Sequence, residues 1–527
     1  MPDLTREEVE SILDEYAETL KAQMQEEEDE FVDEDDDFDI EDDDDEDDED
    51  ETSSEDSESD DSESSEESES SEESETGSEL ATTEEGIAEI EEIVLGPLEE
   101  KDLSGLDLSG LNFFTISLSG SNLSECNLQG ADLSGTNLEN SDLTKAKLVD
   151  ANLEAARLHG AILKEASMED ANFQDADASN VDAQNATMEN ANLRRSKWSQ
   201  ANLTEANLME TNLSRSDFSK AILVRAKMEN CDITRSKFNG ADLSAAILTD
   251  SKMSMSGFFE CNLKAANLMR AQLKGAKLCG ADLTDVRMPR ADLTSADLSE
   301  ATVHNVDLSH AKLGGAILRR TSLQNSDLSE TDLNVADLTG ANLVNINLRG
   351  ANLGRIKLFQ AQMEGAYLSG ASLIKAKMDK VNLNNADLSG ANLSGAELNE
   401  ANLENTDLSR ATIVEASLKN TNLKNTYLLG ADLRKTNLTE SQLQGSQMSG
   451  SKLTRTILVR ADLSDADMRR CDLEHANLTD AILKKADLSG SKAAEAVFKN
   501  ADLSSANLQN VDTTDTVFDG CKGYDAP

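Results

Sequence analysis

Every fifth residue from Leu103 to Phe518 belongs to one unbroken series, and the register does not slip across its 84 positions. Leu fills sixty of them, and Phe, Met, Ile, Val, Ala, the single Trp198 and, near the end, Thr513 fill the rest. None is charged, as a dry interior requires. Two residues before each central position sits a small one, such as Ala131, Ala151, Ala391 or Ala501, usually followed by Asp or Asn. A period of five fits neither the 3.6 of a helix nor the 2 of a strand. The chain must therefore turn a corner every five residues. Such repeats form solenoids, in which each unit buries its inner face only against its neighbours.

The A-D/N-L-x-x text resembles the pentapeptide-repeat family over about four-fifths of the chain. The resemblance implies an all-β solenoid, a right-handed quadrilateral β-helix with four pentapeptides to a square coil. The central residue and the small one point inward, and the other three positions face water. Eighty-four pentapeptides then make about 21 coils over residues 98–521, a rod of roughly 100 Å at about 4.8 Å per coil. No loop is expected to protrude between Leu123 and Phe498. From Ser121 to Thr516 the small position holds only Ala, Ser, Thr, Cys and Val, apart from Ile346 and Ile356. With coils of twenty residues, Trp198 lies over Ala178, and Ala183 is around the next corner. Two exchanges to Ala beside the only Trp keep the core volume constant.

The net charge of −58 is unevenly spread: −47 of it falls in residues 1–100. A segment such as 25–82, nearly devoid of apolar residues, cannot offset its ordering entropy and reads as a disordered acidic, Ser-rich arm. Ser53, Ser57, Ser62 and Ser65 lie among its carboxylates and suit acid-directed phosphorylation. No apolar run is long enough to span a membrane and no secretory signal opens the sequence, so an intracellular, soluble protein, cytoplasmic or nuclear, is expected.

Residues 1–24 read as an amphipathic helix. Thr5 and Glu8 make a capping box, and Val9, Ile12, Leu13, Tyr16 and Leu20 form one stripe. The stripe can fold onto the rod of its own chain or engage a partner; the acidic tract after it favours the partner. Residues 83–97 read as a second helix that caps the first coil, where Leu106, Leu111 and Ile116 replace small residues. The tail, 522–527, has no matching helix.

On one face the outward residues Arg157, Asp177, Lys197, Asp217, Lys237 and Lys277 form a charge ladder, alternating in sign through Lys237. It reads as sheet stabilisation or as a recognition stripe. Five of the six cysteines sit at the small inward position and act as compact fillers; Cys279 does not. Neither a metal-ligand spacing nor a catalytic motif is present, and no cofactor is expected. Three functions remain open: a non-catalytic protein-interaction scaffold or spacer, a DNA mimic that inhibits a DNA-binding enzyme as some family members do, and a polyanionic chaperone of basic proteins such as histones. The expected partners are proteins rather than nucleic acid, with self-association through residues 5–24 or the far end of the rod.

Overall fold

The computed structural model of the protein describes residues 2–30 and 98–523, the side chains of 24 and 26–30 excepted. The chain divides into two units, Met1–Val9 with Gly96–Pro527, and Glu10–Leu95. The helix α1, Arg6–Glu30, starts in the first and continues in the second.

The twenty-residue coil follows from backbone pairing. Single parallel bridges join each outward Asp/Asn position to the residue twenty further on, from Asp102–Asn122 to Asp502–Lys522. Around each bridge the central amide donates forward one coil and the bridging amide back, as in Leu123 N to Asp142 O (2.7 Å) and Asn122 N to Lys101 O (2.9 Å). At nearly every corner the residue after the turn closes it, as Ala131 N does to Leu128 O (3.0 Å). The third residue of that turn has positive φ at every fifth position from Glu100 to Gly520, which is the type II geometry. These coils stack as a right-handed quadrilateral β-helix.

The core consists of the central and small positions, nearly all without exposed surface. The D/N-L-S/T text has a local cause. Asp132 Oδ1 accepts from Ser134 N (3.1 Å) and Oγ (2.6 Å), so the bridging side chain braces the turn that follows. Asn residues extend this between coils: Asn172 Nδ2 donates to Asn152 Oδ1 (3.0 Å), and Asn192 Nδ2 to Asn172 Oδ1 (2.9 Å). The register holds from the first bridge to the last, with no insertion. Four corners lack the closing bond, those before Cys231, Val306, Thr331 and Thr421; Cys231 N turns to Ser251 Oγ (3.2 Å) and Val306 N to Ser326 Oγ (3.3 Å). The corner before Val306 departs further, since among the described residues Asn305 makes no backbone bond to the next coil.

Two boundaries differ from the sequence reading. The helix runs through Glu30 and not only to residue 24: its own backbone bonds, with six more residues compatible with a helix, outweigh the lack of apolar content. Lys522, placed in the tail, still bridges Asp502. The arm from residue 31 to 82, its serines and the helix of 83–97 lie outside the described residues.

Candidate functional site

The first coil is held by the N-terminal residues of its own unit. Asp3 N donates to Asp102 O (2.6 Å), and Asp102 N returns a bond to Asp3 Oδ2 (2.9 Å). Arg6 Nη1 donates to Asp107 O (2.9 Å) and Nη2 to Ser109 O (3.3 Å). The capping box forms, with Thr5 N donating to Glu8 Oε2 (2.7 Å). Of the stripe, Val9 has no exposed surface and Leu13 is buried, while Ile12, Tyr16 and Leu20 are half-buried. A polar N-terminal segment that bonds Asp102 through one backbone amide and one carboxylate was illegible in a helical stripe.

The charge ladder is in register, since Arg157, Asp177, Lys197, Asp217 and Lys237 bridge in sequence, but it pairs only in part. Lys197 Nζ lies 3.4 Å from Asp177, while Arg157 turns to Glu139 at 3.7 Å. Lys237 and Lys277 make no ion pair among the described residues. Burial works against the Asp177 carboxylate, but bonds from Ser179 and Lys197 outweigh it and hold its pKa below the usual range.

A second and more regular ladder runs along the corners, at the positive-φ position. Arg195 grips Asp175 with Nε at 2.6 Å, and Arg270 grips Asp250 with both nitrogens at 2.6 Å. Arg225 pairs with Glu205, Lys435 with Glu415 (2.7 Å), and His475 with Glu495 (3.1 Å). Each pair spans one coil. The signal was present in the sequence as opposite charges twenty apart, two residues after the central position. Exposed pairs of this kind contribute about 0–1 kcal/mol each.

The cysteine reading agrees with the geometry. Burial, foremost, pushes the Cys126 thiol up to about 11 and those of Cys231 and Cys471 to about 12, and each Sγ donates to a backbone carbonyl. Among the described residues no group of His, Cys, Asp and Glu is placed to hold a metal ion, and no helix is long and apolar enough to cross a membrane. Tyr367 and Tyr427, three coils apart on one face, are about two-fifths exposed, and Arg349 sits 4.7 Å over the Tyr367 ring. In the last described coil Leu508, Val511 and Phe518 are half-buried where their counterparts elsewhere are buried.

No curated protein sequence matches this chain. Among solved structures, HetL, a pentapeptide repeat protein involved in heterocyst differentiation regulation in the cyanobacterium Nostoc sp. strain PCC 7120, is 30% identical. The match covers 43% of this chain and 89% of HetL, with a TM-score of 0.19. QnrB1, a plasmid-mediated fluoroquinolone resistance protein, is 19% identical over 43% of this chain and 86% of its own, with a TM-score of 0.18. A pentapeptide repeat protein of the Arabidopsis thaliana thylakoid lumen is 33% identical over 21% and 66%, with a TM-score of 0.11. Overlapping segments that together run over residues 121–520 match the family described as pentapeptide repeats. With its five-residue text, its twenty-residue coils and this match, the chain belongs to the pentapeptide repeat family.

Proposed function

We propose that the protein is a non-catalytic interaction scaffold or spacer. The observation that carries this reading is the uninterrupted ladder of bridges from Asp102 to Lys522, which fixes every outward side chain at a set height along one axis. The central and small positions fill the core, and the thiol pKa values of the buried Cys126 and Cys231 are raised rather than lowered, the opposite of a reactive cysteine. A duplex mimic needs continuous negative stripes, whereas cations interrupt the corners here, some of them paired with acids one coil away. A polyanionic chaperone would work through the acidic N-terminal region and use the coils as a spacer only.

The readings separate by where partners touch. Assemblies captured on the full chain are cross-linked with a carbodiimide, which joins lysines to carboxylates, and mapped by mass spectrometry. A scaffold gives cross-links from partners to outward lysines of widely separated coils, such as Lys264 and Lys424. Cross-links confined to residues 10–95 would sink the scaffold in favour of the chaperone.

A further inference from the structure

One corner of the rod differs in charge from the protein that carries it. It is formed by the two residues after each central position of the column that contains Leu193 and Leu213, and by the outward residue of the face that carries Arg157, Asp177 and Lys197. Over residues 194–457 these columns hold fifteen Lys and Arg against five Asp and Glu. The diagonally opposite corner, over residues 184–447, holds five against eight. Residues 101–527 carry a net −11 (−58 less the −47 of residues 1–100), so a three-to-one local excess of positive charge is not a by-product of composition.

Two of the five acids at this corner are already paired with cations. Asp337, 6% exposed, accepts from Arg319 Nη2 at 2.9 Å and lies 3.6 Å from Lys357. Glu415 pairs with Lys435 (2.7 Å). Arg215, Arg235, Arg355, Lys375, Lys377 and Arg455, by contrast, are exposed and make no ion pair among the described residues. Elsewhere the corner position is where the fold pairs its charges across one coil, so this row of unpaired cations breaks the rule of its own columns. Near its far end the corner opens into a cavity of about 420 Å3 lined by Arg434, Lys435, Arg455, Glu474 and His475 with Val414 and Thr454.

We infer that this corner is a docking strip for an extended, acidic polypeptide segment of a partner protein. The inference rests on the scaffold reading and names its partner's chemistry. Width decides between polyanions. The strip is one corner wide, and the flanking columns are mixed in sign, so a nucleic-acid duplex about 20 Å across would overhang carboxylates on both sides. A single extended peptide stays on the strip. From Arg195 to Arg455 the strip spans thirteen coils, about 60 Å, which an extended peptide of about 20 residues covers at roughly 3.3 Å per residue. The unpaired cations also match an occupant that supplies carboxylates at many points rather than one.

The test uses the full chain and a fluorescent 20-residue peptide of alternating Glu and Ser, followed by anisotropy at low and physiological salt. Saturable binding is expected, weakening as salt screens the exposed charges. The double variant Lys375→Glu, Lys377→Glu should slow association by about tenfold or more, in the range that electrostatic steering commands. The double variant Lys264→Glu, Lys424→Glu makes the same change of charge on another face and should bind as the parent does. Circular dichroism and thermal midpoints of both variants confirm equal folding. Equal losses in the two variants would reduce the effect to net charge and overturn the strip. So would the absence of saturable binding, or a 20-base-pair DNA duplex that binds as tightly as the peptide. Each of these outcomes leaves the scaffold reading standing, because cross-links from partners to other faces do not depend on this corner.

Discussion

The corner residue is where this fold is most exacting. Every fifth backbone position is left-handed, which costs a non-glycine residue about 1–2 kcal/mol, and most of the corners here are non-glycine. What lies above the corner sets the rest of the cost. At Gly365, φ +66, an added Cβ would meet Asn345 Oδ1 at 2.6 Å; at Gly370, φ +69, it meets open space. Asn345 is not idle, since its Nδ2 donates to Asn325 Oδ1 at 3.3 Å. Gly370→Ala should therefore lower stability by about 1 kcal/mol. Gly365→Ala should lower it by clearly more, because the Asn345 bond must break or shift. Denaturant titration of both variants checks this, and equal losses would contradict the stacking of corner on corner. The sequence shows glycine recurring at this position but not why, since the left-handed turn is a backbone property that five-residue spacing alone does not specify.

Aromatic stacking belongs to the scale of the coil. Trp198, Phe218, Phe238 and Phe258 occupy one column on successive coils, with centroids 6.1, 5.1 and 5.2 Å apart and rings nearly parallel. At the start of the stack Phe173, from the neighbouring face one pentapeptide earlier than Ala178, meets the indole edge-on at 5.6 Å. The indole Nε1 donates to Ser196 Oγ (2.9 Å), which in turn donates to Leu193 O (2.5 Å), so the polar atom of a fully buried Trp is satisfied. Ala178→Leu should overpack this column by about 1–3 kcal/mol. Trp198→Leu should leave a void costing on the order of 2–3 kcal/mol. The triple change Ala178→Leu, Ala183→Leu, Trp198→Leu should recover much of that loss, measured by denaturant titration; a triple variant no better than the sum of its parts would place the compensating volume elsewhere. The volume exchange at Ala178 and Ala183 was legible because coils of twenty residues align those numbers. The edge-on Phe173 and the Ser196 relay were not, because they depend on how far each side chain leans across the square. For the same reason the flat-face ladder read from Arg157 to Lys277 pairs only in part.

For the whole molecule the many braced carboxylates set the response to pH. Burial would raise the pKa of Asp337, but bonds from Thr339 and Arg319 outweigh it and hold the carboxylate below the usual range. Bonds from Ser109 and Ser504 do the same at Asp107 and Asp502. A carboxylate whose pKa is lower folded than unfolded adds stability above the unfolded value of about 3.9, and that contribution is lost as pH falls through the lower folded value. The thermal midpoint should therefore stay level from about pH 8 to pH 5 and drop below about pH 4. A midpoint that rises on acidification would mean that repulsion among unpaired carboxylates, not their hydrogen bonding, dominates.

The lapsed corner at Val303–Asn305 gives this long assembly a mechanical character. Hydrogen bonds between coils run along the axis, so tension applied at the two ends loads them in series, and the strength of the whole is that of its weakest junction. With the turn unlatched at Val306 and the amide of Asn305 unbonded to the coil above, that junction lies near the middle. A pulled rod would part there into two halves of similar length, each still able to hold its own coils.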